Sequence, residues 1–264
     1  MTGNRGRGMV LQERDRHLLR ELGVLRVVDR DQAKTVAGFG SDSRVNRRLR
    51  TLTDAGLLTR FFLGTRISGQ KAIYSLSKKG ALLAGVARRG LQRRKEEALI
   101  ADFFAEHQLA VNDLYCDLKY RRALPHGVAF EQWQVFDQPI TSGSRLIPDG
   151  YFVLRSASRT IAAFVEVDLG HERRAVWHEK IRKYSEFAMS GEYVRRFGHQ
   201  QFRVLVITTT ERRLESLQTT AASTTSKLFR FTTLPATRAR GPYTAIWRRA
   251  KSAELEPLIE ESLP

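Results

Sequence analysis

One cysteine in 264 residues, Cys116, rules out an internal disulfide. With no companion cysteine it reads as a buried thiol in a reduced, cytoplasmic protein. His171 and His178 have no cysteine at zinc-ligand spacing, which argues against a structural zinc. No glycine-rich phosphate loop of the Walker type is present, so ATP hydrolysis is disfavoured. No apolar run approaches the roughly 20 residues that cross a bilayer. The opening stretch Met1 to Gly8 carries two arginines and lacks the apolar segment of a secretory signal.

Acidic residues are also scarce, but only at one end. Residues 1–95 hold 22 Lys and Arg against 7 Asp and Glu, whereas residues 96–264 hold 23 against 21. The first third thus carries +15 of a net +17. Such a field attracts polyanions and gains from the counterions they release. No basic amphipathic helix with an aromatic face is evident, which favours nucleic acid over an anionic membrane. Hydrophobic residues make up 42%, the share of an ordinary globular core. The length suits two modest domains or one large one.

Leu11 to Leu22 has the apolar stripe of a helix, and Asp31 to Ala37 reads as a second, capped by Asp29 or Asp31. Ser41-Asp42 caps a third helix that runs to about Ala55, with Gly56 as its stop. Val45, Leu49 and Leu52 on it fall at i, i+4 and i+7 and face a core. Ser43, Arg44, Arg47, Arg48 and Arg50 lie off that stripe and are expected to face outward. Strands at Leu57 to Leu63 and Lys71 to Leu76, joined by a turn carrying Arg66, follow directly, then a helix from Lys78 to about Arg89. Helix, helix, turn, basic helix and hairpin is the order of a winged helix-turn-helix, whose last helix enters the major groove. A merely solvated arginine face is the plainer alternative; helix order, hairpin and local charge together favour DNA. Arg44 and Arg47 are then placed to reach guanine edges, and Arg48, Arg50, Arg66 and Lys71 to grip phosphates. The expected division is a flexible basic arm over residues 1–9, a winged-helix domain over 10–95 and a second domain over 96–264.

The second domain reads as a long helix from Glu96 to Arg122, with Leu99, Phe103, Leu109, Leu114 and Leu118 as core. Strands at 128–136, 145–154 and 160–167 follow. A helix over 172–189, a strand over 202–208, a helix over 211–220 and strands over 228–234 and 243–247 come next. The acidic tail 254–261 suggests a short last helix. The expected class is α+β, with a mixed sheet flanked by helices.

Two acids stand out in this order. Asp149, within Ile147-Pro148-Asp149-Gly150, begins one strand. Glu166, within Phe164-Val165-Glu166-Val167-Asp168, ends the next, in a run apolar enough for burial. A buried acid needs a partner or a metal. Acids on adjacent strands can share Mg²⁺ (or Mn²⁺), a hard cation that prefers oxygen ligands. Such a cation would activate water for phosphodiester chemistry; without catalysis no cofactor is called for. This order of elements and acids resembles the restriction-endonuclease-like core, the PD-(D/E)xK fold. In that pattern a lysine stands two residues after the second acid. Here the position is Asp168, which strand alternation puts on the same side as Glu166, as a third metal ligand or the mark of a retired site. Lys180, on the sheet-facing side of the following helix with Trp177, Ile181 and Tyr184, is the displaced candidate. Two readings of it stand side by side: catalytic cation, or a structural partner of Glu166 or Asp168. His107, Asn112 and Asp113 on the long helix are weaker candidates for the same pocket.

Across residues 10 to 210 the chain is similar to the replication-relaxation proteins of plasmids and other mobile elements. The residues that carry this are Arg47-Arg48-Leu49 through Ala55-Gly56-Leu57-Leu58, His107 with Leu109 to Asn112, Pro148-Asp149, Phe164 to Glu172 and Lys180 to Tyr184. The resemblance implies a winged-helix DNA-binding domain joined to a nuclease-like domain, with double-stranded DNA as partner. No heptad pattern specifies a homodimer. The alternative is a winged-helix transcriptional regulator whose C-terminal domain only dimerises or binds a partner.

Overall fold

In the computed structural model, residues 9–64, 70–89, 98–141, 145–156, 159–225 and 227–259 are described. The expected arm, apart from Met9, and Arg66 lie outside these residues. The class is mixed α+β, as expected, in two units, Met1–Cys116 and Asp117–Pro264.

In the first unit three helix starts are set by short polar side chains, Asp29, Ser41 and Ser77. Helix α1 (Glu13–Leu25) leads into strand β1 (Val27–Asp29), a three-residue element too short to show a period in the sequence. Asp29 then caps helix α2 (Arg30–Val36) in a capping box with Gln32. Ser41 caps helix α3 (Asp42–Asp54), accepting from the Arg44 amide. Strands β2 (Leu58–Gly64) and β3 (Gln70–Leu76) form an antiparallel pair, and β1 joins the free edge of β3. Helix α4 (Lys78–Ala84) stops at Gly85, which takes the left-handed conformation, so the helix ends short of the expected Arg89. Val45, Leu49 and Leu52 are buried, as the α3 stripe requires.

The long helix belongs with this unit rather than with the second. Helix α5 (Ala98–Cys116) passes into a π-helical turn over Asp117–Arg121. Gln32 donates to the Leu109 carbonyl and to Asp113, at 2.8 and 2.9 Å. Asn112 donates to the carbonyls of Leu25 and Val27. Asn112 and Asp113 therefore finish the hydrogen bonding of β1 and α2. Phe103, expected in the core, is 49% exposed. Cys116 is buried, as expected.

The second unit is a six-stranded sheet in sequential order: β4 (Ala129–Gln134), β5 (Gly150–Arg155), β6 (Thr160–Asp168), β7 (Arg203–Thr208), β8 (Phe229–Thr233) and β9 (Arg248–Arg249). Strands β6, β7 and β8 are parallel; the other neighbours are antiparallel. Helices α6 (Arg174–Met189) and α7 (Glu192–Phe197) connect β6 to β7, and α8 (Glu211–Ala222) connects β7 to β8. Helix α9 (Leu234–Arg240) follows β8. The second strand begins at Gly150 rather than at Arg145. Tyr243 to Ile246 is not a strand, because Trp247 donates its indole N–H to the Pro242 carbonyl and turns the segment. Residues 254–259 are not a helix: Glu256 bridges to Trp247, and Pro257 has no N–H to give.

Phe164 on β6 is the centre of the core. It packs against Tyr151, Tyr184, Phe187, Tyr193, Phe197 and Phe202, with ring centroids 4.9 to 6.1 Å apart. Such pairs add about 0.5–1.5 kcal/mol each beyond area burial. That is why β6 and α6 are held in fixed register, and both carry the candidate residues.

Candidate functional site

Asp149 stands just before β5. Its backbone N–H donates to the Val165 carbonyl, and its Oδ2 accepts from the Val167 amide at 2.7 Å. The carboxylate is thereby clamped beside β6. Gly150 is needed at the next position, because a Cβ there would sit 2.6 Å from the Trp133 ring.

Glu166 is 1% exposed on the central strand. Strand alternation puts it on the same face as Phe164, the face covered by α6. Lys180 Nζ donates to its Oε2 at 2.8 Å, and the Tyr184 hydroxyl to its Oε1 at 2.6 Å. Burial pushes the Glu166 carboxyl up to about 7, and the nearby Asp149 adds to this against the pull of Lys180 and Tyr184. Lys180 also meets Glu172 at 2.8 Å and lies over the Trp177 ring. Burial opposes its charge, but Glu166, Glu172 and Asp149 outweigh that and hold its pKa above the ordinary lysine value. Burial likewise raises the Tyr184 hydroxyl, so it remains a donor. Asp149, Glu166 and Lys180 are thus brought together.

Asp168 is not brought into that set. Its Oδ2 accepts from Arg213 at 2.6 Å and from the Trp177 indole at 3.1 Å, and its Oδ1 from the Gly170 amide. Gly170 makes this turn at φ +91°, a value that favours glycine. Among the described residues no three His, Cys, Asp or Glu side chains are grouped to hold a metal. A cage of Asp149, Glu166 and Asp168 is therefore not formed, since Asp168 is committed to Arg213. Asp149 and Glu166 still offer the hard oxygens that Mg²⁺ prefers. Glu172 Oε2 is buried without a hydrogen-bond partner, a spare acceptor beside Lys180.

The sequence pattern did not single out Glu172, Tyr184 or Arg213 for this site. Tyr184 reads as core from its spacing, and it is core; its hydroxyl is what reaches Glu166. Arg213 lies in the first turn of α8, far along the chain, and no local signal links it to Asp168.

On α3, Ser43, Arg44, Arg47 and Arg50 are exposed, and so is Asn46. Arg48 corrects the expectation of an outward face. Its side chain is 17% exposed and pairs with Asp15, whose side chain is 1% exposed, with Nε to Oδ1 at 2.8 Å. It also donates to the Val10 carbonyl. Lys71 pairs with Asp29 at 2.5 Å and keeps about half its surface in solvent. Arg48 is thus engaged within the protein, and Lys71 in part. Counting α5 with its unit adds five acids, so residues 1–116 hold 22 Lys and Arg against 12 Asp and Glu, and residues 117–264 hold 23 against 16. The charge asymmetry between the units is smaller than between the segments 1–95 and 96–264.

Among the described residues no helix is long and apolar enough to cross a membrane. A family model described as replication-relaxation matches residues 19–201. No curated protein and no solved structure matches the chain.

Proposed function

The chain belongs to the replication-relaxation family, and from that premise we propose that it is a double-stranded DNA-binding protein acting in replication, relaxation or transfer of a plasmid or other mobile element. The first unit serves as a winged helix with α3 as the recognition helix and the β2–β3 hairpin as the wing. What supports this is the exposure of Arg44, Arg47 and Arg50 on one short helix that also presents Ser43 and Asn46. Exposed guanidiniums keep their donors available for guanine edges and phosphates.

The second unit serves as a PD-(D/E)xK-type nuclease-like domain whose lysine has moved to α6. The observation that carries it is the 2.8 Å contact between Lys180 Nζ and Glu166. Asp149 and Glu166 would hold Mg²⁺ or Mn²⁺, which when bound lowers the pKa of a water and offsets charge on the phosphate. Tyr184 orients the Glu166 carboxylate. Lys180 supplies the positive charge that Asp168 cannot.

A second reading has its own support. Both Glu166 oxygens already have donors, and Asp168 is closed by Arg213. A network so complete suits a domain that only dimerises or binds a partner, attached to a DNA-binding regulator. Nicking of supercoiled plasmid carrying the protein's own binding site, with Mg²⁺ or Mn²⁺, separates the two. Cleavage is expected, and Asp149→Ala is expected to abolish it. Absence of cleavage sinks the enzyme reading; cleavage that survives Asp149→Ala sinks the site assignment.

A further inference from the structure

A cavity of about 800 Å³ lies in the second unit at the amino-terminal ends of the parallel strands β6, β7 and β8. Thr160, Ile161 and Ala162 of β6, Arg203 of β7, Arg230 of β8 and Arg249 of β9 line it, with Phe202 and Leu228 just ahead of β7 and β8. Glu166 and Asp168 lie four and six residues beyond Ala162 on β6, roughly 13 and 20 Å along the strand. The cavity is therefore separate from the acids.

Among the described residues its lining carries charge of one sign. Arg159, Arg203, Lys227, Arg230 and Arg249 line it, and no aspartate or glutamate does among the described residues. Glu256 pairs with Arg249 at 2.5 Å and stands 3.6 Å from Arg230, so it offsets part of the charge of those two. Arg203 spends one donor on the Leu258 carbonyl. Arg159 and Lys227 are exposed. Ile161, Met189, Phe202 and Leu228 form the apolar part of the wall, and polar side chains, Gln200, Gln201 and Thr224 among them, complete it. The volume falls in the range of about 300–1,000 Å³ typical of small-ligand sites.

We propose that this cavity binds a nucleoside phosphate unit, with the cations on the phosphate and the apolar wall against the base. Guanidinium groups match phosphate oxygens in charge and geometry. An apolar surface accepts the face of any base. The unit has two sources, a free nucleotide or one link of a single DNA strand. The inference does not rest on catalysis by Asp149 and Glu166, and its failure would leave nicking and duplex binding untouched.

The test uses the full chain with Arg44→Ala, Arg47→Ala and Arg50→Ala, so that the exposed arginines of α3 contribute little. A short fluorescent oligothymidylate is titrated and its anisotropy followed. Binding is expected, and Arg159→Glu with Lys227→Glu should weaken it by about tenfold or more at physiological salt. Arg212→Glu with Lys251→Glu makes the same change in net charge at exposed positions away from the cavity lining. This control should bind as its parent does. Thymidine monophosphate then distinguishes the sources: displacement of the oligonucleotide assigns the site to free nucleotide, and lack of displacement assigns it to the strand. No binding by the parent, or an equal loss in the control variant, overturns the proposal.

Discussion

The two units use basic side chains in opposite ways. On α3, Arg44, Arg47 and Arg50 stand in solvent and, among the described residues, form no ion pair. In the second unit, Lys180 lies between Glu166 and Glu172, and Arg213 closes on Asp168. A solvated cation costs the fold nothing and keeps its charge for a polyanion. A buried cation is part of the fold, because removing it leaves a carboxylate in low dielectric without its partner. Position alone does not decide which use applies, since Arg48 sits between Arg47 and Arg50 in sequence and behaves like Lys180.

Removal of Lys180 tests the buried class most severely. Lys180→Ala leaves Glu166 with Tyr184 alone, and a loss of about 3–5 kcal/mol in urea unfolding is expected, the usual cost of breaking a buried pair. Stability equal to wild type would mean that Lys180 is not committed to the fold. Arg48→Ala should cost somewhat less, about 2–3 kcal/mol, because Asp15 keeps its bond from the Gln12 amide. Arg47→Ala, one residue away, should leave stability within about 0.5 kcal/mol. If the two substitutions cost the same, the contrast within α3 fails.

The raised carboxyl of Glu166 gives the comparison a pH axis. Because its folded pKa, about 7, exceeds the ordinary value of 4.5, the group favours the folded state fully below about pH 4.5. That contribution is lost as pH rises through 7. Its size is at most about 3 kcal/mol, from the linkage between pKa shift and stability. Glu166→Gln keeps an acceptor for Tyr184 and cannot ionise, so its stability should vary less between pH 4.5 and 7 than that of the wild type. Parallel pH profiles from unfolding curves would sink the assignment of this titration to Glu166.

The parts legible in the sequence were those governed by local rules. The α3 boundaries follow from Ser41, Gly56 and the Val45–Leu49–Leu52 stripe, and all three are local signals. The pairing of Lys180 with Glu166 follows from strand alternation and helix spacing, two periods that meet at the core. What escaped was set by distant partners. Asp15 turns Arg48 inward, and nothing within α3 announces it. Asn112 and Asp113 join the first unit because Asn112 donates to the carbonyls of Leu25 and Val27 at β1, and Asp113 accepts from Gln32 on α2. Arg213 reaches Asp168 across 45 residues of chain, and this removes the third acid from the metal set that the spacing suggested.

On the proposed winged-helix reading, the exposed class makes the finest distinction, between arginines that would read bases and arginines that would grip backbone. Arg47→Ala should weaken specific duplex binding by about 1–3 kcal/mol and relax preference at one base position, the cost of one bidentate guanine contact. Arg50→Ala should weaken all sequences alike, by less, and reduce the slope of log affinity against log salt by about 1. Both are measured by anisotropy on duplexes that differ at single positions, over a series of salt concentrations. Base readout needs a fixed geometry, whereas a phosphate contact needs only a charge within reach. Arg47→Lys should therefore stay near Arg47→Ala in sequence preference, and Arg50→Lys should recover most of the wild-type affinity. Recovery by lysine at both positions would place Arg47 and Arg50 alike on phosphates. The sequence preference of the protein would then have to come from DNA shape or from residues other than these.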